Sequence, residues 1–306
     1  MKGLLTRSLV FLGLLGLSSL IVVPGAQAGT LSFMRRPVDL SLKQNDLRIV
    51  LTRLGSVPTG ALLLKRARAL WKVRTYAGLA RHLRLADSSR TDAVLIRRFD
   101  SATGKESRDR EITIYVRASQ TADDALLDLA HELVHATSRP DWDPYDPELT
   151  AGEYIENAIE GKGGEIEAVR AECQVGFQLS LASRHSRCDP YVVQSQVQAQ
   201  KLKKDFYRVG SARDEIVRSL GAEASRFPEL SEASVVLYSS TGRAPYPQAL
   251  MEEYKALTRT ACVNMSRLID REQESAEPDR SPAALAPKQA VAQKFLDRRC
   301  ASLHIH

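Results

Sequence analysis

The sequence predicts an α+β fold that is helix-dominated, with a small β-sheet beside one central helix. Apolar residues recur at helical spacing through most of the chain. Two neighbouring runs, "DAVLIRRF" (92–99) and "EITIYVRA" (111–118), are instead rich in β-branched residues, and the second alternates. A nearly uncharged helical stretch, "ALLDLAHELVHATS" (125–138), follows almost at once. At 306 residues, 43% hydrophobic and 26% charged, the chain can bury one sizeable core and has the composition of a soluble globular protein.

Residues 1–28 read as an export signal peptide. Lys2 and Arg7 form a positive start, Leu9–Val23 is apolar, and Ala26-Gln27-Ala28 fits a small-residue cleavage site. An exported protein, periplasmic or secreted, follows. The apolar run is also long enough for an uncleaved N-terminal anchor; after cleavage no membrane span remains. Without this segment the net charge falls from +6 to +4, too weakly basic to suggest a nucleic-acid partner.

An N-terminal helical region covers 29–90, with 39–86 read as helical throughout. Its Lys65, Arg66, Arg68, Lys72, Arg74, Arg81 and Arg84 suit a solvated helix face. Contact with an anionic envelope polymer or nucleic acid is the alternative, although no interleaved aromatics supply a stacking platform. The core follows over 91–190. Its two strands flank the polar loop 100–110, and Thr121 is placed to cap the next helix, with Asp123 and Asp124 in the first turn and Pro140 beyond its end.

The Pro/Asp-rich stretch after Arg139 is a connection; its acids lack the spacing and central glycine of a calcium loop. "AGEYIENAIE" (151–160) is a short helix broken at Gly161–Gly164, and another helix runs from Glu165 to Ala182. A C-terminal helical region, 191–271, holds amphipathic helices over 190–221 and 247–270, and 272–306 is a flexible linker and tail.

Cys173, Cys188, Cys262 and Cys300 form an even set in a chain sent to an oxidising space. No C-x-x-C pair suggests a zinc cluster. Disulfides Cys173–Cys188 and Cys262–Cys300 are favoured among the three possible pairings because each joins neighbours in sequence.

The central helix carries the chemistry. His131 and His135 are four residues apart, about 40° apart in azimuth, and so project from one face. Both imidazoles can then reach one Zn2+ ion. Glu132 is offset from His131 by about 100°, where the general base for a zinc-activated water belongs. No charge other than Glu132 lies between Leu129 and Ala136, so the helix is buried, and buried imidazoles need partners.

The "HELVH" pattern resembles that of the zincin metallopeptidases. The resemblance implies a zincin-like fold, Zn2+ held by His131 and His135, Glu132 as catalytic base, and a peptide or protein substrate. In the gluzincin branch the third metal ligand is a glutamate in an E-x-x-A or E-x-x-S context on a later helix. "EIEA" provides that context and implies Glu165, although Val169 stands where many gluzincins have an aspartate. Zincins also place an edge strand along the cleft, which "EITIYVRA" would supply.

Beside the resemblance, Glu165 sits in a helical first turn, where the dipole favours an ionised carboxylate. Glu167, Glu172, Glu153, Glu156 and Glu160 stay open as third ligands, and Glu172 also as a partner for a ligating histidine. Tyr154, Tyr191, Tyr207 and His185 are candidate oxyanion donors. The expected function is an exported zinc metallopeptidase; the alternative is a non-catalytic cell-envelope interaction module on the same fold. Oligomeric state leaves no sequence signal.

Overall fold

The computed structural model describes residues 14–15, 41–99, 106–140, 143, 146–181, 188, 196–233, 237, 244–274 and 292–301. Apart from Leu14–Leu15, the signal peptide lies outside them, as does most of the 272–306 tail.

Three helices open the described chain: α1 (Asp46–Leu54), α2 (Pro58–Leu70) and α3 (Tyr76–Ala80). Pro58 suits the start of α2, where its missing N–H has no helical partner to lose. Leu47, Leu51, Leu54, Leu63 and Leu64 are buried, while Lys65, Arg66, Lys72, Arg74, Arg81 and Arg84 are exposed. The basic stretch is therefore the outer face of this region.

Three strands make the sheet: β2 (Leu83–Ala86), β3 (Arg90–Phe99) and β4 (Glu106–Arg117); Leu14–Leu15 adds a two-residue pairing, β1, against Arg90 and Thr91. Their order is β1-β3-β4-β2, with β3 and β4 antiparallel and β2 parallel to β4.

Here the structure corrects the expectation three times. The polar loop is shorter than expected, because Glu106–Arg110 continue the β3–β4 ribbon as far as the pair Phe99↔Glu106. Leu83–Ala86 is a strand, not helix; its period-two pattern is only four residues long, too short to compete with the helical signal before it. And β4 is not an edge strand over Ile114–Tyr115, where β2 and β3 flank it on both sides.

After β4 come α4 (Ala122–Ser138), α5 (Ala151–Ile159) and α6 (Glu165–Gln178). The last ends earlier than expected: Ser180 turns left-handed at φ 56°, and Leu181 N donates back to Gly176 O at 2.7 Å, a Schellman-type stop. The single helix expected over 190–221 is two, α7 (Gln196–Phe206) and α8 (Arg213–Leu220), divided where Gly210 takes a φ of 55°. Finally α9 (Tyr246–Glu274) and a short helical segment over 292–300 are joined by Cys262–Cys300.

Both expected disulfides are present, Cys173–Cys188 and Cys262–Cys300, closing loops of 15 and 38 residues. Loop-closure entropy assigns them about 3 and about 4 kcal/mol. Two apolar clusters share α6. One contains α1–α4, the sheet, and Ala168 and Val175 of α6; the other contains α5, α7–α9, and Val169 and Cys173 of α6. Among the described residues no single helix is long and apolar enough to cross a membrane; the α1–α2 pair reaches that length only across a 117° bend.

Candidate metal centre

Helix α4 begins as its sequence dictates. Thr121 Oγ1 accepts from Asp124 N at 3.1 Å, and Asp123 and Asp124 complement the dipole. From Ala125 to Ala136 every residue is buried, because α4 packs against β3 and β4 on one side and α6 on the other. His131 and His135 meet α6; Glu132 meets β3.

Helix α6 delivers the third group. Gly163 has a φ of 70°, and an added Cβ there would collide with the backbone nitrogen of Arg139, so the break at 161–164 requires glycine at this point. The chain then re-enters helix at Glu165. Ala168, fully buried in the same apolar cluster as Leu133 and Val134, lets α6 lie close to α4.

The result is a sealed group of two imidazoles and a carboxylate that could hold a metal ion: His131, His135 and Glu165. The two Nε2 atoms are 3.0 Å apart. Glu165 Oε2 is 3.2 Å from His131 Nε2, and Glu165 Oε1 is 3.3 Å from His135 Nε2. Each ring is oriented from behind. His135 Nδ1–H donates to the Gly163 carbonyl at 2.8 Å, and His131 Nδ1 faces Glu172 Oε2 at 3.2 Å. With Nδ1 protonated, each Nε2 offers a bare lone pair.

Those lone pairs test whether a cation fits. Two imidazole nitrogens and an ionised carboxylate crowded within 3.0–3.3 Å repel one another unless positive charge lies among them. Both Glu165 oxygens are buried and each faces an imidazole Nε2. A proton on His131 would relieve part of the repulsion; a divalent ion would satisfy all three groups. Two nitrogens and one oxygen are a donor set that zinc and other first-row divalent ions accept.

The charge states agree for two of the three groups. Burial works against an ionised Glu165, yet His135 and His131 hold its carboxyl well below the ordinary range. Burial pushes His135 down to about 4 and keeps it neutral, as a ligand must be. Burial opposes charge on His131 as well, but hydrogen bonds to Glu165 and Glu172 raise it to about 10, so a proton competes for the place a metal would take. Glu132 is pushed up to about 8, by burial first, against the pull of His131 and of Thr91, whose hydroxyl donates to Glu132 Oε2 at 2.7 Å.

The other candidate ligands are engaged elsewhere. Glu153 closes a capping box with Thr150, and Glu156 pairs with Arg226. Glu160 accepts from Tyr207 at 2.8 Å and pairs with Lys203, and Glu167 accepts from Gly163 N at 2.7 Å. Glu172, two turns beyond Glu165, backs His131.

Of the candidate oxyanion donors, Tyr207 is committed to Glu160, Tyr154 lies against Glu253, and His185 and Tyr191 fall outside the described residues. Among the described residues a phenol beside the centre is one the sequence did not single out. Tyr246, at the start of α9, is buried; burial first, then the charges of Glu165 and Glu132, push its hydroxyl well above the ordinary range. "APYPQ" carries no pattern that marks it. Thr91, in "SRTDAV", is equally silent, and Gly163 was legible only as a break. Arg139 completes the surroundings, its Nε donating to Gly163 O at 2.9 Å and its guanidinium 3.8 Å from Glu165 Oε1.

No protein-family model, curated protein or solved structure matches this chain.

Proposed function

We propose that this chain is an exported zinc-dependent metallopeptidase of the zincin type. One observation carries the reading: His131, His135 and Glu165 converge on one point, and a separate buried carboxylate, Glu132, stands beside them. Three protein ligands leave a further position, the arrangement of catalytic rather than structural zinc sites. Zinc there would polarise a peptide carbonyl and lower the pKa of a water to about 7.

The chain's own groups supply the rest. Glu132, which burial alone would keep protonated near neutrality and which the positive charge of an ion beside it would ionise, takes a proton from the attacking water and returns it to the departing amine nitrogen. Tyr246, whose buried hydroxyl bonds to Glu165 beside the ion's place, is the phenol we assign to donate to the developing oxyanion. Glu172 and Gly163 hold the two imidazoles in register. The two disulfides support an oxidising compartment, in keeping with the export signal.

The alternative, a non-catalytic envelope module, has an observation of its own: His131, Glu132, His135 and Glu165 are only 3, 1, 1 and 0% exposed, so no substrate reaches them in this conformation. The test separates the two. Purified wild type should carry about one zinc per chain and cut some members of a broad peptide library. Glu132→Gln should keep fold and zinc but lose activity on the order of 100- to 10,000-fold. Undiminished hydrolysis by this variant refutes the mechanism, and a zinc-loaded wild type that leaves the library uncut supports the module.

A further inference from the structure

Glu132 and Glu165 are both buried carboxylates beside His131, yet only Glu165 belongs to the group of atoms that could share one ion. A second carboxylate so near a divalent cation would ordinarily be drawn onto it. What stands against this is β3. Thr91 Oγ1 lies 2.7 Å from Glu132 Oε2 and 3.0 Å from the main-chain carbonyl of the same residue. One hydroxyl against both ends of Glu132 fixes its side chain toward the sheet.

Thr91 is itself firmly placed. It is 3% exposed and pairs with Ile114 in the ladder. Two residues earlier, Ser89 Oγ donates to Asp128, the carboxylate one helical turn before Glu132, and Arg117 N donates to Ser89 Oγ at 2.9 Å. The start of β3 and the residue just before it thus hold two successive α4 carboxylates on the side of the sheet.

The geometry points to Thr91 as a positioning residue that keeps Glu132 off the metal, so that the ion has three protein ligands and not four. The inference rests on the metal-centre reading. A fourth protein ligand would close the site to water and substrate, and a carboxylate serving as ligand could not also serve as base. Thr91 therefore preserves both the open position and the proton acceptor.

The test is metal binding by the full chain: Zn2+ affinity by competition with a chromophoric chelator, and the visible spectrum of the Co2+-loaded form. Thr91→Val removes the hydroxyl while keeping the side chain's shape. It should bind Zn2+ about tenfold more tightly, within the range by which groups around a metal tune affinity, with a changed Co2+ spectrum. Thr91→Ser should behave as wild type, and Thr91→Val combined with Glu132→Gln should lose the gain. Thr91→Ala gives the same readout should the valine variant not fold.

An unchanged affinity in the folded Thr91→Val protein overturns the inference. So does a loss of roughly 10- to 100-fold, the signature of ordinary support for the ligands. A wild type that binds no better than His131→Ala overturns the metal centre itself, and this inference with it, which is a distinct outcome from a wild type that binds and a Thr91→Val protein that does not tighten.

Discussion

Replacing Glu253 with glutamine should stabilise the protein at pH 8 and leave it almost unchanged at pH 5. Glu253, on α9, is partly exposed as a residue, but both its carboxylate oxygens are sealed from water. Burial, opposed by the hydroxyl of Tyr154 and by Arg139 and reinforced by Glu165, pushes its carboxyl up to about 7 from an ordinary 4.5. Between those two values the native protein holds a proton that the unfolded chain has released, so stability falls as pH rises through the window.

At 1.36 kcal/mol per pH unit the full penalty is about 3 kcal/mol above pH 7. Glutamine carries no charge and removes it, while a weakened hydrogen bond with Tyr154 subtracts about 1 kcal/mol. The net gain at pH 8 is therefore about 2 kcal/mol. Urea unfolding of both proteins at pH 5, 6.5 and 8, with chelator present, measures it, and the difference between the two curves cancels groups common to both. A variant that is less stable at pH 8, or whose difference from wild type does not change with pH, refutes the reasoning.

Two further substitutions probe the metal centre from behind. Glu172→Ala leaves His131 Nδ1 without its carboxylate and should weaken Zn2+ binding about 10- to 100-fold, read by chelator competition, with the fold retained. Gly163→Ala forces a side chain into a left-handed turn against the Arg139 backbone, and should lower stability by at least about 1 kcal/mol in chemical denaturation. Because the Gly163 carbonyl also accepts from His135, its Zn2+ affinity should fall too; an affinity equal to wild type would show that the carbonyl does not orient the ring.

How much of this could be read from residues alone depends on range. Thr121 capping α4, the stop before Pro140, the restart at Glu165 and the one-faced pair His131 and His135 are all settled within a turn or two of helix, and the sequence carries them. Glu172 was legible as a partner for a ligating histidine because it lies two turns from Glu165 on nearly the same face. Thr91 and Tyr246 were not legible. They reach the centre from 41 residues before Glu132 and from the far end of the chain, through strand register and helix docking, and nothing local marks them. The strand β2 was missed for a related reason: four residues acquire their conformation from pairing with β4, not from their own pattern.

The centre is set where the two apolar clusters meet. His131 and Glu132 stand on the wall of one, Tyr246 and Glu253 on the wall of the other, and α6, carrying Glu165, contributes to both. Well-packed interiors yield little to bending. An ion or substrate bound for a centre so placed would have to part the joint between the two clusters. Amide hydrogens along that joint, near the start of α9, would then exchange together, at a rate that would also limit the entry of any ion.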